Sequence, residues 1–220
     1  MQTRLRWIFL FLIVSSAAQV QAQEKTFEPK GSFSVDAGVP TLGRNYAFRR
    51  VMEGLFNGGI GFKYNIFKGM TLGIGAKYSF FNINTFALKN ANWSGGLHMP
   101  APYIDLSFEK FTTERISLSA GVKIGYAAMI SVNDSCKNAT GEPVIYGALF
   151  FEPHVEALML TGKGSSDGFS FILGYNIYNR PFTPGFLCMN ELPNLEPENY
   201  KGFTGFFSIG FGYRYYFGRK

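Results

Sequence analysis

The chain has 220 residues, enough for one domain of ordinary size, and its formal net charge is +6. Aromatic residues make up 17% and glycines number 26, whereas only 16% of residues are charged, below the quarter that is usual for soluble domains. The mild positive charge comes without a basic run with interleaved aromatics, which excludes a nucleic-acid-binding protein, and the Phe, Tyr and Gly content favours an all-β fold.

Residues 1–22 have the layout of a cleaved signal peptide. Arg4 and Arg6 form a basic head, an apolar run too short to span a membrane follows, and the segment ends in the small-residue pattern Val-Gln-Ala. We therefore expect an exported mature protein that begins at Gln23 with a net charge of +4. Residues 23–30 are then a short periplasmic leader, and residues 31–220 form one domain.

The dominant hydrophobic period after the leader is two. In the stretch IGFKYNIF, the residues Ile60, Phe62, Tyr64 and Ile66 alternate with small or polar neighbours, as in a half-buried strand. Eight such stretches are predicted, at residues 31–40, 56–67, 70–83, 103–110, 116–130, 146–160, 168–179 and 202–217.

The connections between these stretches alternate in length. Four are long, at residues 41–55, 84–102, 131–145 and 180–201. Three are short, at residues 67–70, 111–115 and 161–167. An even number of strands with long loops at one end and short turns at the other is the layout of an outer-membrane barrel.

Two kinds of barrel have alternating strands, and the volume of the interior separates them. A soluble, lipocalin-like barrel points its apolar face inward, whereas a membrane barrel points it at lipid. Eight strands enclose an interior only just wide enough to be filled by side chains, and the apolar face carries too many aromatics for it. We therefore place the apolar face in lipid, with Tyr64, Tyr78, Tyr103, Tyr213 and Tyr215 in interfacial girdles. The charged residues of the other face line the lumen: Asp36, Lys63, Lys77, Asp105, Glu109, Lys123, Glu152, His154, Glu156 and Arg214.

The signal peptide, the alternating hairpins and the closing strand GFFSIGFGYRYYF resemble the small eight-stranded outer-membrane barrels of diderm bacteria, OmpA/OmpX-like in architecture. The resemblance implies an antiparallel up-and-down transmembrane β-barrel in the cell outer membrane, with short periplasmic turns and long extracellular loops. In that family the barrel-assembly machinery recognises a closing strand that ends in an aromatic residue. The resemblance thus implies an assembly signal formed by Phe211, Tyr213, Tyr215 and Phe217.

The lumen charges admit two interpretations. Buried charges are tolerated when they are paired, and the nearly balanced signs predict a salt-bridged plug that occludes the barrel. The alternative is a narrow ion or small-solute pore or a proton-linked gate, since polar groups at membrane depth often mark pathways. A wide aqueous channel is excluded, because such channels need about 16 strands.

Glu152, His154 and Glu156 alternate on one strand, a pattern that also occurs in acid–base and metal sites. The sequence has only two histidines, His98 and His154, and no paired-cysteine or HExxH ligand set. We expect no metal, no cofactor and no enzymatic activity. A lipid-modifying barrel enzyme that uses a histidine, and a secretion-accessory barrel, are the alternatives.

The predicted loops hold the remaining candidates. Cys136 and Cys188 lie in neighbouring loops and are a candidate disulfide, with two free thiols as the alternative. Arg44, Arg49 and Arg50 are candidates for binding lipopolysaccharide phosphates. The apolar residues of the last loop, Phe182, Phe186, Leu187 and Met189, are candidates for contact with an extracellular or envelope protein partner. The sequence therefore predicts a non-enzymatic barrel that acts in membrane structure or in surface interaction through its loops.

Overall fold

The computed structural model describes residues 29–86, 94–163, 165–192 and 195–218. It is a closed barrel of eight antiparallel strands in which each strand pairs with its neighbours in sequence and β8 closes onto β1. The strands are β1 (Gly31–Gly43), β2 (Met52–Phe67), β3 (Met70–Ile83), β4 (Gly95–Phe111), β5 (Ile116–Asn133), β6 (Val144–Leu160), β7 (Asp167–Tyr178) and β8 (Thr204–Phe217). The predicted fold is confirmed.

The two ends of the barrel differ in their connections. Residues 68–69, 112–115 and 161–166 join strands at one end, here called the turn end. The other end, the loop end, carries helix α1 (Tyr46–Val51) between β1 and β2 and helix α2 (Asp134–Thr140) between β5 and β6. Two 3₁₀ helices, Pro184–Leu187 and Pro197–Tyr200, lie between β7 and β8. No helix in the described part of the chain is long and apolar enough to cross a membrane.

The β2–β3 hairpin shows how the local sequence sets a turn. Lys68 and Gly69 both have positive φ angles, 38° and 87°, as a tight two-residue hairpin requires. Gly69 suits its position because glycine adopts this conformation without a steric cost. The short interval between the two alternating stretches, which predicts a turn in the sequence, thus also sets the register in which β2 pairs with β3.

The exterior carries the apolar face of the alternating pattern. Ile60, Phe62 and Tyr64 of β2 and Ile74 of β3 are exposed, whereas Lys63 between them is buried. The same arrangement holds around the barrel, so the outer surface is a band of aliphatic and aromatic side chains. A surface of this kind is not compatible with water and matches the lipid-facing band of membrane barrels.

The strands extend further into the predicted loops than the sequence pattern indicates. β4 begins at Gly95 rather than near residue 103, and β2 begins at Met52 rather than near residue 56. In β4 the misleading residues are Pro100 and Pro102, which pair with β3, while the pairing of β4 with β5 stops at His98 and resumes at Tyr103. Proline lacks the backbone N–H that pairing with a second neighbouring strand requires. The two prolines therefore make this segment look like a loop in the sequence, although β4 remains paired with β3 there.

The predicted signal peptide, residues 1–22, lies outside the described residues, as does most of the predicted leader. Of the leader, Pro29 and Lys30 are described, and the Lys30 N–H donates a hydrogen bond of 3.2 Å to the Phe217 carbonyl.

Candidate functional site

The turn-end half of the interior contains a buried ion pair between β2 and β4. Lys63 Nζ lies 2.9 Å from Asp105 Oδ2 and donates a hydrogen bond of 3.1 Å to Ser107 Oγ. The intervening strand, β3, has Gly73 opposite both charged residues. A Cβ added at Gly73 would lie 2.9 Å from Lys63 Cγ, so glycine leaves the space through which the two charges meet.

Arg214 on β8 is the centre of a second buried cluster. Its Nη1 lies 3.1 Å from Glu109 Oε1 on β4, and its Nη2 contacts Glu156 on β6. Glu109 also accepts hydrogen bonds from Ser117 Oγ, at 2.8 Å, and from the Tyr216 hydroxyl. Two carboxylates therefore compensate one guanidinium, and the cluster crosses the barrel between opposite strands.

Lys77, Glu152 and Lys123 form a third cluster near the middle of the barrel. Lys77 Nζ is 2.5 Å from Glu152 Oε2 and also donates to Asn176 Oδ1, while Lys123 Nζ is 3.5 Å from Glu152 Oε1. One carboxylate is thus shared between two ammonium groups. Since β3 and β7 lie four strands apart in a closed barrel of eight, the Lys77–Asn176 contact also spans the interior.

His154 lies inside the barrel beside Asp105, with its Nε2 3.7 Å from Asp105 Oδ2. Both ring nitrogens lack a hydrogen-bond partner among the described residues. They border a cavity of about 20 Å³ that Asp36, Lys123 and Arg214 also line, enough for about one water molecule. The ten residues predicted for the lumen therefore all lie in the interior, with Asp36 bordering the cavity rather than forming one of the ion pairs above.

The loop-end half of the interior is apolar, which the sequence analysis did not predict. Phe81, Phe150, Tyr178 and Phe206 point inward and are buried. The rings of Phe81 and Phe206 pack 4.9 Å apart, and those of Phe150 and Tyr178 pack 5.8 Å apart. The expectation that the lumen holds only small or charged residues is therefore wrong for this half. The predicted strand boundaries are one reason for this error, because they place Leu97, Met99 and Ala101 in a loop. In the structure these three residues are buried interior residues of β4.

The last loop closes the apolar half rather than displaying its hydrophobic residues. Phe182 and Phe186 are fully buried, and Leu187 is 1% exposed. Phe48 of α1 packs on Phe182 with ring centroids 5.6 Å apart, so α1 and the last loop share one apolar cluster. The expectation that these side chains form an exposed binding surface is wrong, because burying them stabilises the loop more than exposing them would.

Hydrogen bonds and a disulfide join this loop to its neighbours. The Asn45 side-chain amide caps α1 by accepting from the Phe48 N–H and donates to the Tyr200 carbonyl at 3.2 Å. Cys136 at the start of α2 is bonded to Cys188, with Cα atoms 5.0 Å apart. The segment between β7 and β8 is thereby attached to both helices and covers the barrel mouth. We name the assembly of residues 44–51, which include α1, of α2, and of residues 179–192 and 195–203 the cap.

The three candidate arginines lie on the outside of the cap. Arg44, Arg49 and Arg50 are exposed. The Arg49 guanidinium lies 5.5 Å from the centroid of the Tyr46 ring, and Arg50 Nη1 donates to the Tyr46 hydroxyl at 3.4 Å. Arg49 and Arg50 therefore both contact one aromatic ring, and Arg44 lies two residues before that ring in the chain.

The closing strand alternates as the sequence indicates, and two of its inward residues are aromatic. Phe211, Tyr213 and Tyr215 face outward, and Phe217 stacks on the Phe62 ring at 5.2 Å. These inward aromatic residues are Phe206, which lies in the apolar half, and Tyr216, which contacts the Arg214 cluster.

Tyr103, expected in an aromatic girdle, is inside the barrel. Its hydroxyl donates to the Ile60 carbonyl at 3.2 Å, and its ring lies 5.1 Å from Lys123 Nζ. Tyr103 has the same strand parity as Asp105, which places both on the inner face. His98, expected near the second loop, is instead within β4 and contacts the hydroxyl of Tyr78 through its Nδ1.

Three small barrels are among the solved structures that this chain resembles. The crystal structure of Neisserial surface protein A, NspA, has a TM-score of 0.50 and 10% identity over 86% of this chain and 97% of that one. OprG from Pseudomonas aeruginosa has a TM-score of 0.48 and 12% identity over 86% and 97% of the two chains. Ail of Yersinia pestis, in complex with the heparin analogue sucrose octasulfate, has a TM-score of 0.42 and 10% identity over 84% and 99%.

No protein-family model and no curated protein sequence matches the chain. At 10% identity the likeness to NspA concerns the fold alone, and it agrees with the closed strand order seen here. The chain has the fold of the small eight-stranded outer-membrane β-barrels.

Proposed function

We propose that this protein is a non-enzymatic barrel of the cell outer membrane with a closed lumen and an ordered extracellular cap that makes surface interactions. The observation that carries the proposal is contact across the interior in both halves. Arg214 reaches Glu109 on the opposite strand in the charged half. In the apolar half, Phe81 of β3 packs on Phe206 of β8 with ring centroids 4.9 Å apart, and Phe48 from the cap packs against Phe206 as well.

Location in the outer membrane is supported by the exterior and by the predicted export signal. Strands cross hydrocarbon as closed barrels, because an open edge would leave backbone groups unpaired. With the turns in the periplasm, as in such barrels generally, the cap lies outside the cell. The wild-type protein refolded in detergent should migrate differently on a gel before and after boiling, and an unchanged mobility would contradict a stable closed barrel.

Closure of the lumen predicts that the protein does not conduct. Planar bilayers containing wild-type protein should show no reproducible single-channel events, while a 16-stranded porin in the same bilayers conducts. Reproducible conductance of the wild type would contradict the proposal and support the alternative, a narrow pore.

Two matched double variants of β8 sharpen this test. Phe206→Ala with Arg214→Ala removes inward side chains from both halves, and Phe207→Ala with Tyr213→Ala removes outward ones. We expect ion conductance from the first and silence from the second. Heat-dependent gel mobility shows that each variant is folded.

The non-enzymatic part of the proposal is supported by where the two histidines lie. His154 is enclosed among charged groups inside the barrel, out of reach of a lipid substrate. His98 contacts Tyr78 and stacks on Phe80 with ring centroids 4.8 Å apart. Membranes containing His98→Ala or His154→Ala protein should have the lipid profile of wild type. A lipid product lost in either variant would support the enzyme alternative.

We propose lipopolysaccharide phosphate as a partner of the three arginines on the cap. Arginine binds phosphate oxygens in a bidentate manner, and Tyr46 holds Arg49 and Arg50 on one side of α1. Replacing Arg49 or Arg50 with Gln should weaken binding of lipopolysaccharide to the purified barrel. Lys137→Gln removes one exposed charge from α2 at the same end and is the matched control.

An extracellular or envelope protein is the second partner proposed for the cap. Since Phe182, Phe186 and Leu187 are buried, it would contact the exposed polar surface instead. Co-purification of one protein that lipopolysaccharide competes away would place both partners on the arginine surface.

A further inference from the structure

The lipid-facing surface has an open groove on β4–β7 near the turn end, with a volume of about 470 Å³. Its walls are the outward side chains of Phe108, Leu118, Val155, Phe171 and Leu173. Its floor is formed by Ala120 and Ala157, the small residues among these large neighbours. The volume lies in the range of small-molecule sites, which is unusual for the convex outside of a barrel.

The register of the strands explains the groove. Ala120 of β5 lies opposite Phe108 on one side and Val155 on the other. Ala157 of β6 lies opposite Leu118 and Phe171, one step nearer the turn end. Ala120 and Ala157 are therefore diagonal neighbours on adjacent strands. Because their side chains are smaller than those around them, they leave one continuous slot between the larger residues.

The polar end of the groove is basic. Lys110 lines it and lies opposite Leu118, one residue before the end of β4. Arg115 is exposed in the following turn, whereas its neighbour Glu114 pairs with Lys163 at 3.3 Å. The ion pairs found among the described residues do not include Lys110. A positive charge thus lies at the interface where hydrocarbon meets water.

We propose that this groove binds one anionic phospholipid of the periplasmic leaflet, with an acyl chain along Ala120 and Ala157 and its phosphate at Lys110. An apolar slot that ends at an uncompensated ammonium group complements a molecule whose hydrocarbon chain ends at a phosphate. The groove is continuous with the lipid-facing band, so this leaflet supplies the occupant directly. The inference rests on the proposed membrane location.

Native mass spectrometry of the purified barrel in mild detergent tests the site, with phosphatidylglycerol and phosphatidylcholine added in turn. We expect one tightly held phosphatidylglycerol on the wild type. Ala157→Leu fills the slot and should weaken phosphatidylglycerol binding about tenfold, because the acyl chain loses its dispersion contacts along the slot, which are individually small and collectively of this order. Lys110→Gln should remove the preference for phosphatidylglycerol over phosphatidylcholine.

The control variants make the same kinds of substitution, an added side-chain volume and a removed positive charge, at positions outside the groove. Ala37→Leu adds equal volume to an exposed position of β1, and Lys68→Gln removes an exposed turn-end charge. Both should bind lipid as wild type does. Equal lipid loss in Ala37→Leu and Ala157→Leu, or a dimer of the barrel that Ala157→Leu dissociates, would overturn the proposal. Heat-dependent gel mobility of each variant separates loss of the lipid site from failure of the barrel itself.

Discussion

Arg214 on β8 and Glu109 on β4 face each other across the barrel, with Nη1 3.1 Å from Oε1. In a closed barrel of eight strands these two strands lie opposite each other, so one side-chain contact joins the two walls. Glu156 approaches the same guanidinium from β6, and all three side chains are buried. Charges removed from water are tolerated only in such paired arrangements, so the cluster specifies the width of the interior.

Arg214→Met should destabilise the barrel strongly, because it leaves Glu109 and Glu156 buried without a cation. Removing one partner of a buried pair typically costs about 3–5 kcal/mol. Urea unfolding of the protein in lipid vesicles, followed by gel mobility, measures the change in free energy.

Lys163→Met is the control for this substitution. Lys163 pairs with Glu114 at the turn end, where both side chains are exposed, and such pairs contribute less than about 1 kcal/mol. Equal unfolding free energies for the two variants would show that the Arg214 cluster contributes no more than a surface pair.

Phe206→Ala should be more destabilising than Phe207→Ala, although the residues are adjacent in β8. Phe206 is 1% exposed and packs on Phe81, so its truncation leaves a cavity at a typical cost of about 3–5 kcal/mol. Phe207 is 50% exposed on the lipid-facing surface, where acyl chains replace the lost contacts. Unfolding midpoints in vesicles compare the two, and equal losses would contradict the inward placement of Phe206.

The sequence predicts the barrel because each strand repeats one simple constraint. Alternation separates the outward Ile60, Phe62 and Tyr64 from the inward Lys63, and the Lys68–Gly69 turn fixes the register of a hairpin. Charged side chains in a narrow interior are stable only when they are paired. Because the pattern places these charges on the inward face, the sequence already predicts ion pairs. The identity of each charged residue's partner depends on the distances between strands that are far apart in the sequence. Strand alternation gives no information about those distances.

The cap and the apolar half could not be predicted in the same way. Phe48 lies in α1, a single six-residue helix without a period long enough to recognise, and it meets Phe182 and Phe206 only through the closed topology. The hydrophobic residues of the last loop look exposed because no pattern shows what covers them. Pro100 and Pro102 hide the first half of β4, where the inward apolar residues begin.

Loss of the Cys136–Cys188 disulfide should loosen the cap and leave the barrel closed. The bond spans 52 residues, and for a loop of that length the chain-entropy estimate gives about 4 kcal/mol. In the double variant Cys136→Ser/Cys188→Ser, trypsin should cleave faster after Lys201, which Gly202 follows. Wild-type protein treated with a reductant should be cleaved as fast as the double variant. Equal cleavage rates for oxidised wild type and the double variant would show that the disulfide does not hold the cap in place.

Ser94 and Asp134 should make the start of α2 sensitive to acid. The Ser94 hydroxyl and N–H both donate to Asp134 Oδ2, at 2.5 and 3.2 Å, which lowers the pKa of that carboxyl below its ordinary value. Because the folded-state pKa is depressed, the stabilisation is present above the ordinary Asp pKa and is lost as pH falls through the depressed value. The protection factor of the Ser94 amide in micelles, which is its exchange rate corrected for the intrinsic pH dependence of exchange, should fall between about pH 6 and about pH 2.

Asp134→Asn is the control for this titration, since an amide keeps the acceptor oxygen but carries no charge. Its Ser94 amide should exchange at a rate that lacks the acid-dependent step. The same step in wild type and Asp134→Asn would assign it to another group.

Phe217 should matter more for assembly in cells than for the stability of the folded barrel, if the barrel-assembly machinery reads the closing strand. In Phe217→Ala cells the amount of heat-modifiable barrel in the outer membrane should fall, while the purified variant refolds in detergent as wild type does. Phe217 also stacks on Phe62 at 5.2 Å, so Phe62→Ala removes the same ring contact and leaves the terminal aromatic residue in place. Equal assembly defects in the two variants would attribute the effect to packing, whereas a defect confined to Phe217→Ala supports recognition of the strand end.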